Sequence, residues 1–154
     1  MFVKILSLCM STSDKRVRIP TSLVSEMLEF SGATTVANAL PVIEQVIGIE
    51  EYINTKLEDG FVFIETDANK QSFAVKWVYE DAAVKADGAE SRIRMTNELH
   101  DKIIQRSGKE TFSEALPYLQ SAFNMAKLIR GEINKGSSYA LASQSGEKEA
   151  VEIC

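Results

Sequence analysis

The chain contains one segment written twice, and this duplication constrains the fold more than any other feature of the sequence. Residues 16–47 and 92–123 align without a gap at a constant offset of 76. Nine of the 32 aligned pairs are identical, which is well above what composition alone would give. These pairs are Arg16/Arg92, Arg18/Arg94, Leu23/Leu99, Ser31/Ser107, Gly32/Gly108, Thr35/Thr111, Ala39/Ala115, Leu40/Leu116 and Pro41/Pro117. A repeat of about 35 residues is too small to bury its own apolar faces, so we expect the two repeats to share one core in a single compact domain.

Each repeat begins with a strand pattern and continues with a short helix pattern. Residues 16–19 and 92–95 alternate arginine with an apolar residue, which places both arginines of each strand on one face. We expect the two strands to pair antiparallel as a two-stranded ribbon. The apolar residues that follow recur at helical spacing up to the Ser-Gly pairs at 31–32 and 107–108, where glycine accepts the left-handed conformation that ends a helix.

A second, longer amphipathic helix is predicted to begin at Thr35 in the first repeat and at Thr111 in the second. A threonine hydroxyl can accept a hydrogen bond from a backbone N–H of the first turn, and Thr111 with Glu114 has the spacing of a capping box. Pro41 and Pro117 fall inside this helix. Because the proline occurs in both repeats, its missing N–H predicts a shared bend rather than a helix end.

These motifs resemble the ribbon-helix-helix DNA-binding proteins of the Arc, MetJ and CopG type. The resemblance rests on the strand RVRIP followed by a helix and on the turn SGKETFSEAL into the second helix, and it covers residues 16–54 and 92–130. Members of that family normally act as homodimers. The resemblance therefore implies a mainly α, α+β fold in which two ribbon-helix-helix units form an intramolecular pseudo-dimer, with a β-hairpin inserted between them.

In the family that the chain resembles, the ribbon lies in the major groove of double-stranded DNA and its outward side chains contact base edges. Carried over to this sequence, the base contacts are Arg16, Arg18, Arg92 and Arg94. An arginine offers a planar pair of donors to guanine O6 and N7, and a two-stranded ribbon fits the width of the groove. The alternative is that alternating arginines form only the solvated face of an edge strand.

Phosphate contacts are expected at the start of the second helix, where free N–H groups and the helix dipole favour an anion. The resemblance assigns phosphate contacts to Lys15, Thr34, Thr35, Lys109 and Thr111. Of these, Lys15 lies beside the ribbon arginines in the sequence. The two cap threonines are explained equally well as plain helix N-caps. Glu110 would repel a phosphate in the second repeat.

The residues between the repeats predict a β-hairpin, with strands at 61–65 and 72–79 around a turn. The aromatic residues between Phe61 and Tyr79 either cover the helical core or form a surface for a protein partner or for self-association. The expected division of the chain is an N-terminal arm at 1–13, a first unit at 14–54, the hairpin and a linker at 55–89, a second unit at 90–135 and a mobile tail at 136–154.

The charge balance bears on the function. The 22 acidic and 17 basic residues give a net charge of −5, so DNA binding must rest on where the arginines lie rather than on bulk charge. We expect a sequence-specific double-stranded DNA-binding protein that works as a monomeric pseudo-dimer, either as a transcriptional repressor or as an accessory protein in plasmid transfer or partition. The alternative, which the negative charge favours, is an antitoxin-like protein-interaction module whose hairpin or tail binds a protein partner.

Few residues in the sequence suit catalysis or metal binding. Cys9 and Cys154 stand alone near the chain ends, and His100 is the single histidine. No HExxH motif or phosphate-binding glycine loop occurs, so we expect neither an enzyme, nor a cofactor, nor a metal site. No apolar run approaches the roughly 18 residues that cross a bilayer, which predicts a cytoplasmic protein without a membrane partner.

Overall fold

The protein has an α+β fold with four helices and two small antiparallel sheets within the residues that the structure describes. The computed structural model describes residues 14–76, 84 and 88–152. The elements in chain order are β1 (Asp14–Pro20), α1 (Thr21–Ser31), α2 (Val36–Glu58), β2 (Val62–Thr66), β3 (Ser72–Ala74), β4 (Glu90–Thr96), α3 (Asn97–Ser107), α4 (Phe112–Asn134), β5 (Ser138–Ala142) and β6 (Lys148–Val151).

Every element of the first half of the chain recurs 76 residues later. The pairs β1 and β4, α1 and α3, α2 and α4, β2 and β5, and β3 and β6 each begin at positions 76 apart. Helices α1 and α3 have 11 residues each, and α2 and α4 have 23 each. The duplication therefore continues beyond the aligned repeats, through the hairpin and through the C-terminal tail.

The turn between the two helices of each repeat is built by the same hydrogen bonds. The Ser31 hydroxyl donates to a carbonyl of the preceding helical turn at 3.1 Å and accepts from the N–H two residues further on at 3.2 Å. Ser107 makes the equivalent two bonds at 2.7 and 3.1 Å. Gly32 and Gly108 follow with φ of 72° and 71°, a region that glycine adopts without strain. The predicted helix ends at these two Ser-Gly pairs are confirmed.

The chain folds into two compact units in place of the single compact domain that the repeats predicted. The ribbon unit contains the described residues of 1–44 and 81–120, and the sheet unit contains those of 45–80 and 121–154. Each unit therefore takes one part from each repeat. The boundaries fall inside α2 and α4, which continue past Pro41 and Pro117 as single helices of 23 residues.

In the ribbon unit, β1 and β4 pair antiparallel over their whole length, as the sequence predicted. The register places Val17 opposite Ile93, Arg16 opposite Arg94 and Arg18 opposite Arg92. Val17 and Ile93 are themselves 76 residues apart, so the centre of the ribbon lies on a pair of repeat-equivalent residues. Their side chains are buried together with those of Ile19 and Met95, which follow on the same face.

The sheet unit contains a four-stranded antiparallel sheet in the order β3, β2, β5, β6. In its central pair, Ile64 of β2 lies opposite Ala140 of β5, and these residues are also 76 apart. The core of this unit consists of Ile53, Phe63, Ile129, Tyr139, Leu141 and Val151. Ile53 comes from α2 and Ile129 from α4, so the helical segments of this unit cover one face of the sheet.

The C-terminal tail, predicted to be mobile, instead forms β5 and β6. Its turn matches the turn of the hairpin. The Asp67 N–H donates to the Gln71 carbonyl at 2.9 Å, and the Ser143 N–H donates to the Glu147 carbonyl at 2.8 Å. The tail is therefore the second copy of the hairpin. Pairing between β2 and β5 stabilises both copies, because an isolated two-stranded hairpin is marginal in water.

Both predicted strands of the hairpin are present, with different ends. They span Val62–Thr66 and Ser72–Ala74, so the second strand is shorter than predicted. Trp77 and Tyr79 lie outside the described residues, as does the whole N-terminal arm. Phe63 is buried in the core of the sheet unit, which favours the interpretation of the hairpin as a cover over helices.

Candidate nucleic-acid interface

The outer face of the ribbon carries an exposed group of four arginines. Successive strand residues alternate between faces, and the face opposite the buried ribbon residues points outward. It carries Arg16, Arg18, Arg92 and Arg94, and all four are exposed. The structure thus brings together on one surface the four residues that the resemblance assigns to base contacts.

The register sets these arginines in two directly opposed pairs, Arg16 with Arg94 and Arg18 with Arg92. Like charges directly opposite on neighbouring strands destabilise a sheet. Among the described residues, Arg94 alone of the four has an ion pair, since its Nε lies 3.5 Å from Asp14 Oδ2. The two side chains are 60% and 37% exposed, so solvent weakens this ion pair. The outer face therefore has an excess of positive charge that an anionic partner would stabilise.

A groove of about 340 Å³ lies between the ribbon and the start of α2. One side is formed by residues 92–96 of β4 together with Asp14, and the other by Val36, Ala37 and Leu40. The first N–H groups of a helix have no acceptor within it, and the helix dipole favours an anion near them. The start of α2 therefore lies next to the strand that carries two of the arginines, and the Asp14 carboxylate lines the same groove.

The threonines at the starts of α2 and α4 act as N-caps. The Thr35 hydroxyl accepts from the Asn38 N–H at 3.3 Å, and the Thr111 hydroxyl accepts from the Glu114 N–H at 3.2 Å. Thr111 also donates to the Glu114 carboxylate at 2.8 Å, which adds a reciprocal side-chain contact within the predicted capping-box spacing. The Thr111 hydroxyl thus makes one more hydrogen bond than is shown for the Thr35 hydroxyl.

The other phosphate candidates are exposed but do not lie on the outer face of the ribbon. Lys15 lies opposite Met95 in the register, so strand alternation turns it away from the arginines. Thr34 and Lys109 lie in the turns that precede α2 and α4.

His100 takes part in local packing. Its Nδ1 lies 2.9 Å from Asp101 Oδ1, and its ring stacks on Phe112 with 5.4 Å between ring centres. In the described part of the chain, no group of three or more His, Cys, Asp or Glu side chains could hold a metal ion. Within the same residues, no helix is long and apolar enough to span a membrane. Cys9 and Cys154 lie outside the described residues.

Charge is divided unevenly between the two units, a feature that sequence reasoning missed. The sequence assigned to the ribbon unit has ten basic and eleven acidic residues, and that of the sheet unit has seven basic and eleven acidic ones. Strands β1 and β4 alone carry five basic and two acidic residues. Counting charge along the chain hides this division, because each unit takes residues from both repeats.

Comparison of the chain with protein-family models, with curated proteins and with solved structures found no match.

Proposed function

We propose that this protein binds double-stranded DNA in a sequence-specific way, with the β1–β4 ribbon in the major groove. The observation that carries the proposal is the outer ribbon face, where Arg16 opposes Arg94 and Arg18 opposes Arg92 in an exposed position. The guanidinium group matches O6 and N7 of guanine, and a two-stranded ribbon fits the groove. The cellular role is that of a transcriptional repressor or of an accessory protein in plasmid transfer or partition.

In this proposal the chain is an intramolecular pseudo-dimer of the ribbon-helix-helix type. The equal lengths of the repeated helices support it, as does a ribbon register centred on the equivalent residues Val17 and Ile93. A two-fold ribbon suits a palindromic DNA site. The repeats differ near the arginines, for example with Pro20 at the position equivalent to Thr96, which favours an imperfect palindrome or a direct repeat over a perfect palindrome.

A merely solvated strand face explains the arginines less well than DNA does. Repulsion within two opposed arginine pairs costs stability in the free protein. DNA phosphates remove that repulsion, and release of counterions from the DNA adds to the binding free energy. The excess of basic residues on β1 and β4 places this attraction on the ribbon even though the chain as a whole is acidic.

The groove beside β4 supports contact with both the phosphate backbone and the bases of DNA. A phosphate at the N–H groups of Val36 and Ala37 would lie next to the strand that carries Arg92 and Arg94. Phosphate contacts fix the register of a protein on DNA, and base contacts then supply the specificity.

Selection of preferred duplexes from a random pool, followed by titration at several salt concentrations, tests the proposal. We expect an enriched, imperfectly palindromic site and an affinity that falls linearly with the logarithm of salt concentration. Arg18→Lys keeps the charge but loses the paired donors, so it should lower base discrimination more than non-specific affinity. Lys148→Ala removes an exposed charge from β6 and should change neither quantity. Absence of both an enriched sequence and salt-dependent binding would refute the proposal.

A further inference from the structure

The two halves of the sheet unit differ on the face that the helices cover. In one half, Tyr52 and Lys56 of α2 both contact Glu149 of β6. The Tyr52 hydroxyl donates to the Glu149 carboxylate, and Lys56 Nζ lies 3.2 Å from the same group. Lys56 Nζ also lies 4.6 Å from the ring centre of Phe61. These polar contacts join α2 to the outer strand β6, and we call this half of the sheet unit the closed half.

The residues 76 positions away cannot form these contacts. Leu128 is the repeat equivalent of Tyr52, Glu132 that of Lys56, and Phe73 that of Glu149. A leucine, a carboxylate and a phenyl ring offer no mutual hydrogen bond or ion pair. Leu128 and Phe73 are 64% and 48% exposed, and a cavity of about 320 Å³ is present in this half, lined by residues of α4 and of the sheet.

The cavity has an aromatic and aliphatic lining. The rings of Phe63 and Tyr139 stack with 5.2 Å between their centres, and both residues are buried. Val75, Met125 and Ile129 add aliphatic surface. The volume is at the lower end of the range for small-molecule sites, which combine mostly apolar walls with a few placed polar groups.

The polar groups of the cavity are Glu65, Glu132 and Lys76. Glu65 is held in place because the Tyr139 hydroxyl donates to its Oε1 at 2.5 Å and the Ser137 hydroxyl to its Oε2 at 3.1 Å. Both donors are neutral, and no residue in the described part of the chain forms an ion pair with Glu65. The exposed Lys76 also lines the cavity but does not form an ion pair with Glu65. The cavity therefore contains an oriented carboxylate that has no ion pair within the described residues.

The ionisation of Tyr139 is affected by the two carboxylates of the cavity. Its pKa is raised above the ordinary tyrosine value by burial, by its hydrogen bond to Glu65 and by the charges of Glu65 and Glu132. Glu132 already has a cation beside it, since Lys135 Nζ lies 3.4 Å from its Oε1. Glu65 is therefore the carboxylate at which a bound cation would be favoured.

We propose that this cavity binds a small organic cation, an ammonium group carried on an aromatic or aliphatic body. The body lies on Met125 and the exposed Leu128, and the ammonium donates to the Glu65 carboxylate. The closed half of the unit does not offer this site, because Leu141 and Lys56 stand there in the places of Glu65 and Glu132.

Binding of phenethylammonium to the full chain tests the proposal, with 2-phenylethanol as the neutral and 3-phenylpropanoate as the anionic counterpart. We expect saturable binding of the ammonium by calorimetry, with shifts of the methyl NMR signals of Met125 and Ile129. The alcohol should bind about tenfold more weakly or worse, and the carboxylate should not bind. Equal binding of the ammonium and the alcohol, or no saturable binding of any probe, would overturn the proposal.

Charge variants locate the site. Glu65→Gln removes the charge, and its amide can still bond both hydroxyls, accepting from one through its oxygen and donating to the other through its NH2. It should weaken ammonium binding about tenfold and leave alcohol binding unchanged. Glu147→Gln removes an exposed charge from the turn between β5 and β6 and should have no effect. If Glu65→Gln does not fold, Glu132→Gln is the replacement and should also weaken the ammonium selectively.

A transplant variant uses the closed half as its template. The triple change Phe73→Glu, Leu128→Tyr and Glu132→Lys introduces the contacts of the closed half and should abolish ammonium binding. Survival of binding in this variant would place the ligand elsewhere and refute the proposal. The exposed Leu128 and Phe73 could instead serve self-association, which sedimentation tests. If the protein is a dimer that Leu128→Lys dissociates, and no ammonium binding is found, these residues belong to a dimer interface and the proposal is refuted.

Discussion

Val17 and Ile93 lie directly opposite each other in the ribbon and are also 76 residues apart in the sequence. Ile64 and Ala140 have the same relationship in the sheet unit. An antiparallel pair centred on equivalent residues is the arrangement that two copies related by a local two-fold axis produce. Neither repeat completes a ribbon or a four-stranded sheet alone, which supports the proposed pseudo-dimer.

Arg18 and Arg94 are repeat equivalents on the outer ribbon face, so replacing either should have a matching effect on DNA binding. Arg18→Ala or Arg94→Ala should cost about 1–3 kcal/mol in specific binding and relax the preference at one base pair. Under the local two-fold, the two relaxed positions should lie equally far from the centre of the site. Site selection with each variant measures this, and unchanged thermal unfolding controls for the fold. Relaxation at unrelated positions would contradict a two-fold ribbon in the groove.

Asp14 forms the ion pair with Arg94 at the end of the arginine face. A ribbon in the major groove brings this carboxylate close to DNA phosphates, which opposes binding. Asp14→Asn should therefore tighten binding to every DNA sequence by about 0.5–1 kcal/mol and leave the base preference unchanged. Titrations against the selected site and against a random duplex measure both effects. Weaker binding by Asp14→Asn would instead mean that Asp14 positions Arg94.

The ribbon and the helices could be predicted from the sequence because their signals are local. Alternation of arginine with apolar residues defines the strand faces, and the Ser-Gly pairs define the first helix ends, within windows of a few residues. The arginine face follows from the same alternation. The sequence does not show which arginines lie opposite each other. That depends on the strand register, which is centred on Val17 and Ile93, 76 positions apart.

The tail and the cavity depend on contacts that the sequence does not display locally. Strands β2 and β5 have the sequences VFIET and SYALA and share no residue at equivalent positions. Sequence identity therefore does not indicate that the tail is a second hairpin. Strand β5 is stabilised by pairing with β2, far away in the chain. The cavity results from residue differences between equivalent positions, and their effect appears only when α4 packs on the sheet.

Thr35 and Thr111 cap equivalent helices with different numbers of hydrogen bonds. Thr35→Ala removes one bond and should lower the free energy of unfolding by about 1 kcal/mol. Thr111→Ala also removes the contact with the Glu114 carboxylate and should cost more, up to about 2 kcal/mol. Urea denaturation measures both losses. Equal losses would show that the Glu114 side chain contributes nothing to the cap.

The raised pKa of Tyr139 predicts how stability depends on alkaline pH. Burial is the largest cause, followed by the hydrogen bond to Glu65. A group whose pKa is higher in the folded state stabilises the fold below its unfolded pKa, which is about 10 for tyrosine. As pH rises further, the unfolded chain loses the proton while the folded chain keeps it, so the free energy of unfolding should fall above about pH 10.

Tyr139→Phe separates this ionisation from other alkaline effects, because phenylalanine cannot lose a proton. At neutral pH the variant should be less stable by about 1 kcal/mol, since Glu65 loses one of its two hydroxyl donors. Above about pH 10 its stability should decline less steeply than that of the wild type, so the two curves approach each other. Urea denaturation between about pH 8 and 11.5 measures both curves. Parallel curves over that range would mean that the folded state does not oppose ionisation of Tyr139, and the effect inferred for the two carboxylates of the cavity would lose its support.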